Sequence, residues 1–141
     1  MPNTLPIDRL GVKSGDLVME VGYGSDCDDE LRAALVSLTG SPLVDENSNE
    51  VVEAVIIWFR DGDGDLGDYL MDGLTYLTEN GSLWLLTPKF SRDGYVDPSE
   101  ISDAVAGSGL AQSTSFSITQ NWSATRIVTR KSSKGSAKNN L

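Results

Sequence analysis

The sequence predicts an α/β fold in which a mostly parallel sheet carries helices on both faces. The first observation is that apolar, strand-like segments alternate with stretches in which leucines recur at helical spacing. The second is that residues 51–59 (VVEAVIIWF) are almost entirely apolar from Ala54 onward, as expected of a central parallel strand buried on both faces. The third is a closing pair of segments, residues 112–118 and 122–130, which predicts an antiparallel hairpin.

The remaining elements are assigned from turn residues and leucine spacing. Residues 17–21 predict a first strand that leads into a glycine turn, and residues 42–44 predict a short second strand. Three helices are predicted, the first with a stripe of Leu31, Ala34, Leu35 and Leu38 and an N-cap at Ser25 or Asp26. The second has a stripe of Leu66, Leu70, Leu74 and Leu77 and an N-cap at Asp65. The third begins at Asp97 and Pro98. A buried strand over residues 82–87 follows the turn Asn80-Gly81, which is predicted to end the second helix.

Length and charge predict one acidic domain. The chain has 141 residues and a formal net charge of -10. Residues 1–130 contain all 21 acidic residues and eight of the 11 Lys and Arg, so we expect this single domain to repel nucleic acid phosphate. Residues 131–141 (KSSKGSAKNNL) are rich in Ser, Gly, Asn and Lys, a composition typical of a disordered basic tail.

Composition also predicts the compartment and excludes several chemistries. No apolar run approaches the length that crosses a bilayer, and the single cysteine, Cys27, forms no internal disulfide, so a cytoplasmic protein without membrane contact is expected. There is no histidine, which excludes Ser-His-Asp and Cys-His catalysis and histidine-bound zinc. Without a histidine base, Cys27 is expected to be a partly buried thiol.

The glycine turn after the first strand resembles a cofactor motif. The segment VMEVGYG is similar to the first motif of class I S-adenosylmethionine-dependent methyltransferases, which have a Rossmann-like fold, and Glu20, Gly22 and Gly24 match its acid and glycines. The resemblance implies that S-adenosylmethionine would bind these residues and that Asp45 or Glu46, after the second strand, would hold its ribose. It also implies a sheet in which the strands lie in the order second, first, third, fourth, sixth, fifth.

A second resemblance covers nearly the whole chain. The segments LGVKSG at residues 10–15, DGDL at residues 63–66, WLLTPK at residues 84–89 and WSATR at residues 122–126 resemble a domain-of-unknown-function family of small actinobacterial proteins. That family implies no established activity. The short link between the second strand and residue 52 also indicates that the usual third methyltransferase strand is missing. The fold is therefore a truncated one, in which much of the surface that would contact the adenine of the cofactor is absent.

The acidic stretch RDGDGDLGD at residues 60–68 has two interpretations. Its carboxylates are suitable ligands for a divalent cation, with Asp26, Asp61 and Asp63 as the metal candidates, but Leu66 stands where a calcium loop has glycine. The alternative is a helix start in which Asp65 is the N-cap and Asp68 is at the third position. The second interpretation is preferred, and no metal is expected.

The functional expectation is a cytosolic binding or regulatory protein without catalysis and without a cofactor. It would use either an acidic cleft between residues 22–29 and 60–68 or an exposed sheet edge to bind a protein or a small molecule. The first alternative is a small-molecule methyltransferase with S-adenosylmethionine at Glu20, Gly22, Gly24 and Asp45 or Glu46. The second alternative is a divalent-metal site at Asp26, Asp61 and Asp63.

Overall fold

A computed structural model describes residues 6–129, which form a six-stranded sheet with helices on both faces. The predicted disordered tail lies outside these residues. A short 3-10 helix, Ile7–Leu10, precedes the elements β1 Val18–Val21, α1 Asp29–Thr39, β2 Val44–Asp45, β3 Val52–Trp58, α2 Leu66–Leu74, β4 Leu77–Pro88, α3 Pro98–Gly107, β5 Leu110–Ser117 and β6 Trp122–Thr129. Within the described residues, no helix has the length and apolar character needed to cross a membrane.

The sheet order is β2-β1-β3-β4-β6-β5, which confirms the predicted α/β architecture. β1 pairs in parallel with β2 and β3, and β3 pairs in parallel with β4. β6 is antiparallel to both β4 and β5, so the closing hairpin is also confirmed. The two-residue β2 and the longer β5 form the edges of the sheet.

Two apolar layers hold the helices against the sheet. On one side, Leu66 and Leu70 of α2 pack with Ile101 and Val105 of α3 over the alternate side chains of β3 and β4. On the other side, α1 packs on a layer that contains all three tryptophans, Trp58, Trp84 and Trp122, each at most 1% exposed. Because helices cover both faces, β3 is apolar from Ala54 to Trp58, as the sequence predicted.

Two boundaries differ from the sequence prediction. The N-cap of α1 is Asp28, whose carboxylate accepts a hydrogen bond from the Leu31 amide at 2.9 Å, rather than Ser25 or Asp26. The second helix ends at Leu74, because Leu77 pairs with Val52 and already begins β4. Asn80-Gly81 therefore lies inside a strand. The leucine spacing continues past the true end of α2, which is why periodicity alone misplaced it.

Candidate functional site

The candidate site lies at the carboxyl ends of β1 and β3, where the winding of the sheet changes direction. The chain leaves β1 through Gly22, which has φ of 81°. A Cβ at this position would stand 2.5 Å from the Trp58 carbonyl oxygen. Gly22 is therefore required by both its backbone conformation and the close approach of the two strand ends.

Arg60 joins the two loops of this site. It follows β3, and its Nε and Nη2 donate to the two carboxylate oxygens of Asp26 at 2.9 and 2.6 Å. Its Nη1 donates to the carbonyl oxygens of Gly22 at 2.9 Å and of Trp58 at 3.0 Å. Asp63 accepts from the same Nη1 at 3.2 Å. A bidentate guanidinium with additional carbonyl acceptors is a rigid, oriented contact, so Arg60 fixes the glycine turn to the end of β3.

The predicted acidic cleft is consequently crossed by a cation. Asp26 and Asp63, expected to face each other across an open cleft, both bind Arg60. The hydrogen bond from the Arg60 guanidinium holds the pKa of Asp26 below its ordinary value. In turn, the hydrogen bond with Asp26 is the main cause that raises the pKa of Arg60 above its ordinary value. The sequence prediction of an acidic cleft did not include this pairing of Arg60 with Asp26 and Asp63.

Gly24 and Cys27 complete the first loop. A Cβ on Gly24 would stand 3.2 Å from Nη2 of Arg60, so the Arg60 side chain lies directly against this glycine. The Sγ of Cys27 accepts from the Gly24 amide at 3.2 Å and from Arg60 Nη2 at 3.3 Å. Burial raises the pKa of the Cys27 thiol, which keeps it protonated near neutral pH.

Glu20 is a buried carboxylate whose oxygens are already bonded. It is 7% exposed, and Arg32 of α1 donates from Nε at 2.7 Å and from Nη2 at 3.0 Å to its two oxygens. The indole Nε1 of Trp58 donates to the same carboxylate at 2.8 Å. Burial of this acid is therefore compensated by a bidentate ion pair and a neutral donor.

Asp45 and Glu46 lie at the stunted edge of the sheet. Asp45 pairs with Glu20 in the strand register, so the structure brings the two predicted acids to neighbouring strands. The Asp45 carboxylate accepts from the Asn47 amide at 2.9 Å in a local turn. Both acids are exposed.

The metal candidates do not assemble into a ligand set. Within residues 6–129 there is no group of three or more His, Cys, Asp or Glu side chains that could hold an ion. The carboxylates of Asp26 and Asp63 bind Arg60, and the Asp61 side chain is exposed. Asp65 accepts from the Asp68 amide at 3.1 Å, which confirms the predicted N-cap of α2.

A third loop closes over Arg60. The Gly94 carbonyl, in the segment between β4 and α3, accepts from the Asp61 amide at 2.9 Å. A Cβ on Gly94 would stand 2.9 Å from Cβ of Arg60. Trp122 of β6 donates to the Asp26 carbonyl at 3.2 Å, and its ring centroid lies 5.4 Å from the guanidinium carbon of Arg60.

Sequence reasoning missed Arg32, Arg60 and Trp122 as members of the site. The signal for Arg60 was its position at the carboxyl end of a buried strand, where it is the one basic residue in the stretch RDGDGDLGD. Arg32 lies twelve residues after Glu20, and Trp122 comes from the far end of the chain, so no local pattern connects them with the glycine turn.

Comparison with known families decides where the chain belongs. The family described as "Protein of unknown function (DUF3052)" matches residues 7–131, which is most of the chain. The chain belongs to the DUF3052 family. Similar proteins include uncharacterized proteins of Mycobacterium tuberculosis H37Rv and Mycobacterium bovis, each 43% identical over 127 residues. The match covers 90% of this chain and 80% of each relative. The resemblance to a family of small actinobacterial proteins is thereby confirmed.

Solved structures confirm the methyltransferase-like fold of this DUF3052 chain. It is similar to a precorrin-6y C5,15-methyltransferase from Geobacter metallireducens, with a TM-score of 0.58 and 9% identity, covering 87% of this chain and 84% of that one. It is also similar to a ribosomal protein L11 methylase from Lactobacillus delbrueckii subsp. bulgaricus, with a TM-score of 0.54 and 17% identity. That match covers 87% of this chain and 74% of the methylase. At such identities the likeness concerns the fold alone.

Proposed function

We propose that this DUF3052 chain is a cytoplasmic, non-catalytic binding protein built on a methyltransferase-like scaffold. The observation that supports it is the position of Arg60, whose guanidinium lies against Gly22 and Gly24 and bonds both adjacent loops. In a doubly wound sheet this is the place where a ligand enters. Here the chain's own side chain fills it.

S-adenosylmethionine would meet three obstacles at this place. To approach the glycine turn, it would have to displace the Arg60 guanidinium from the carboxylates of Asp26 and Asp63. Its sulfonium is positively charged, and a second cation in a partly buried site is unfavourable. The Glu20 carboxylate, which matches the acid of the methyltransferase motif, already has both oxygens bonded by Arg32.

Titration calorimetry with S-adenosylmethionine and S-adenosylhomocysteine tests this proposal. The wild-type chain is expected to show no saturable binding below a Kd of about 1 mM. A Kd in the micromolar range would contradict the proposal. Arg60→Ala removes the obstructing side chain and is expected to bind S-adenosylhomocysteine roughly tenfold more tightly than wild type. Arg9→Ala, which alters an exposed arginine near Phe116, is the matched control and is expected to behave as wild type.

A second candidate is a small-molecule methyltransferase that binds S-adenosylmethionine at Glu20, Gly22, Gly24 and Asp45 or Glu46. The observation that favours it is that Asp45, exposed at the end of β2, lies beside Glu20 in the register, where a ribose diol could be held. The same titration separates the candidates. If wild type binds the cofactor and Asp45→Asn weakens that binding, the methyltransferase interpretation replaces the binding protein.

A further inference from the structure

A loop between β4 and α3 combines an arginine with an exposed aromatic ring. This loop, residues 89–95 (KFSRDGY), contains two cations, Lys89 and Arg92, in a chain of net charge -10. Phe90 is 76% exposed, more than any other large apolar side chain in the described part of the chain. Its ring makes an edge-to-face contact with Tyr95, with the ring centroids 5.3 Å apart. The loop therefore presents an aromatic surface together with positive charge.

Contacts at both ends hold this loop in place. At its start, the Lys89 amide donates to the Asn121 carbonyl at 3.0 Å, and the Lys89 ammonium donates to the Ser117 hydroxyl. Near its end, the Gly94 carbonyl accepts from the Asp61 amide at 2.9 Å. The loop is thus fixed to the closing hairpin on one side and to the segment after β3 on the other.

Ser91, in the middle of the loop, has a strained backbone. Its φ is 75°, and it is the one residue other than glycine with a positive φ among those that the structure describes. It lies within the turn that the Arg92 amide closes on the Lys89 carbonyl at 3.1 Å, at the position that requires glycine when φ is positive. Such strain persists where the surroundings fix the backbone, and it is concentrated at functional sites. Here it lies between Phe90 and Arg92, which provide the ring and the charge.

Arg92 has no partner for its charge within residues 6–129. The ion pairs of these residues involve Arg32 and Arg60, and Nε of Arg92 is buried without a hydrogen-bond partner. A buried donor without an acceptor is unfavourable, and an ion, a ligand or a water molecule usually satisfies it. The hydrogen bond from Arg60 is the main cause that lowers the pKa of Asp26, and the charge of Arg92 adds to it. Arg92 is therefore a cation that acts on the site at the carboxyl ends of the strands.

The surroundings of Arg92 favour a ligand with a single negative charge. A planar guanidinium binds a carboxylate through two parallel hydrogen bonds. The exposed carboxylate of Asp93 and the net charge of -10 oppose a group of higher charge, such as a phosphate. Phe90 provides an apolar face on which a second aromatic ring can pack. These properties together indicate a small aromatic acid.

We propose that residues 89–95 bind a small aromatic carboxylic acid, whose carboxylate bonds the Arg92 guanidinium and whose ring packs on Phe90. The inference rests on the proposed binding function and names the class of ligand and the two residues that hold it. The loop lies at the carboxyl edge of the parallel strands, where ligands of doubly wound sheets bind. Binding at this loop leaves Arg60 on Asp26, so it does not require access to the glycine turn.

NMR titration with phenylpropionate tests this site in the full-length chain. The readout is the side-chain Nε–Hε resonance of Arg92, which is assigned by its absence from the spectrum of Arg92→Lys. Phenylpropionate is expected to shift this resonance in a saturable way with a Kd of about 1 mM. Phenylpropionamide has the same ring without the charge and is expected to bind about tenfold more weakly. The absence of a saturable shift with the acid, or equal binding of acid and amide, would overturn the proposal.

Charge variants test the guanidinium, with the backbone amide resonances of residues 89–95 as the readout. Arg92→Gln is expected to weaken phenylpropionate about tenfold, and Arg92→Lys about fivefold, because an ammonium lacks the planar pair of donors. The control Lys13→Gln removes a positive charge from an exposed position before β1 and is expected to change the Kd less than about twofold. Wild-type affinity in Arg92→Lys, or equal losses in Arg92→Gln and Lys13→Gln, would show attraction by charge alone and would contradict the assigned contact.

A matched apolar pair tests the role of Phe90. Phe90→Ser is expected to weaken phenylpropionate about fivefold without a change in charge. Met71→Ser, at a position of α2 that is 46% exposed, is expected to leave the Kd unchanged. Equal losses in the two variants would count against the aromatic contact and overturn the proposal. Circular dichroism establishes that each variant is folded at the assay temperature.

The two titrations separate this inference from the proposed function. A chain that binds neither phenylpropionate nor S-adenosylmethionine overturns the inference alone. A chain that binds S-adenosylmethionine with a micromolar Kd overturns the proposed function, whatever the result with phenylpropionate.

Discussion

Arg60 is the residue that turns two acidic loops into one connected structure. It bonds the Asp26 carboxylate with both Nε and Nη2 and reaches the carbonyl oxygens of Gly22 and Trp58. A lysine at this position would carry the same charge but could not make this planar, multidentate contact. The guanidinium of Arg60 thus partly neutralises the carboxylates of Asp26 and Asp63, so they attract an external cationic ligand less strongly.

The ion pair between Asp26 and Arg60 predicts a pH-dependent stability. Because the pKa of Asp26 in the folded chain is below its ordinary value of 3.8, its stabilising charge is present above that value and is lost as pH falls through the lowered pKa. Asp26→Asn is expected to cost about 1 kcal/mol of unfolding free energy near neutral pH and progressively less below about pH 4. Urea unfolding at several pH values measures this difference.

Asp61→Asn is the control for the same series. Its side chain is exposed and forms no ion pair with the described cations. Asp61→Asn is therefore expected to show no pH-dependent loss of unfolding free energy. A cost of Asp26→Asn that stays constant down to pH 3 would contradict the role assigned to the ion pair.

At the scale of elements, the turn from β1 to α1 is set by a backbone contact. Gly22 and Gly11 have similar positive φ angles, 81° and 76°, but only Gly22 lies against another strand. The N-cap of α1 then falls to Asp28, because Asp26 is held by Arg60. Asp65 and Asp97 were predicted as caps and are confirmed, since no tertiary contact competes for their carboxylates.

A pair of alanine substitutions separates strain from steric contact at this turn. Gly11→Ala is expected to cost about 1–2 kcal/mol of unfolding free energy, because alanine is strained at positive φ. Gly22→Ala is expected to cost about 1–3 kcal/mol more, since its Cβ would overlap the Trp58 carbonyl. Urea denaturation of both variants measures the difference. Equal costs for Gly11→Ala and Gly22→Ala would show that the Trp58 carbonyl can move away from the added Cβ.

For the whole molecule, the dominant electrostatic property is a net charge of -10. Self-repulsion of this size destabilises the compact state and is reduced by salt. The internal pairs of Arg32 and Arg60 neutralise only a few of the carboxylates, so most of the repulsion remains at the surface. Long-range charge therefore acts on stability rather than on the architecture of the sheet.

Thermal unfolding in matched salts tests the charge and the metal hypothesis together. The midpoint is expected to rise with NaCl, and CaCl2 at equal ionic strength is expected to give the same midpoint within about 1 °C. If CaCl2 raised the unfolding midpoint further, and if this rise disappeared in Asp61→Asn/Asp63→Asn, an ion would be bound to the acidic loop. That outcome would restore the metal interpretation of Asp26, Asp61 and Asp63.

The sequence alone determined the order of strands and helices along the chain and the closing hairpin. These features follow from local apolar patterns and from the handedness of parallel connections, which need no knowledge of distant contacts. Only the tertiary structure decided the character of the site, since Arg60, Glu20 and Trp122 meet across long separations in the chain. The physical reason is that a charge pattern shows how many acids a loop contains, whereas packing decides which cation neutralises them.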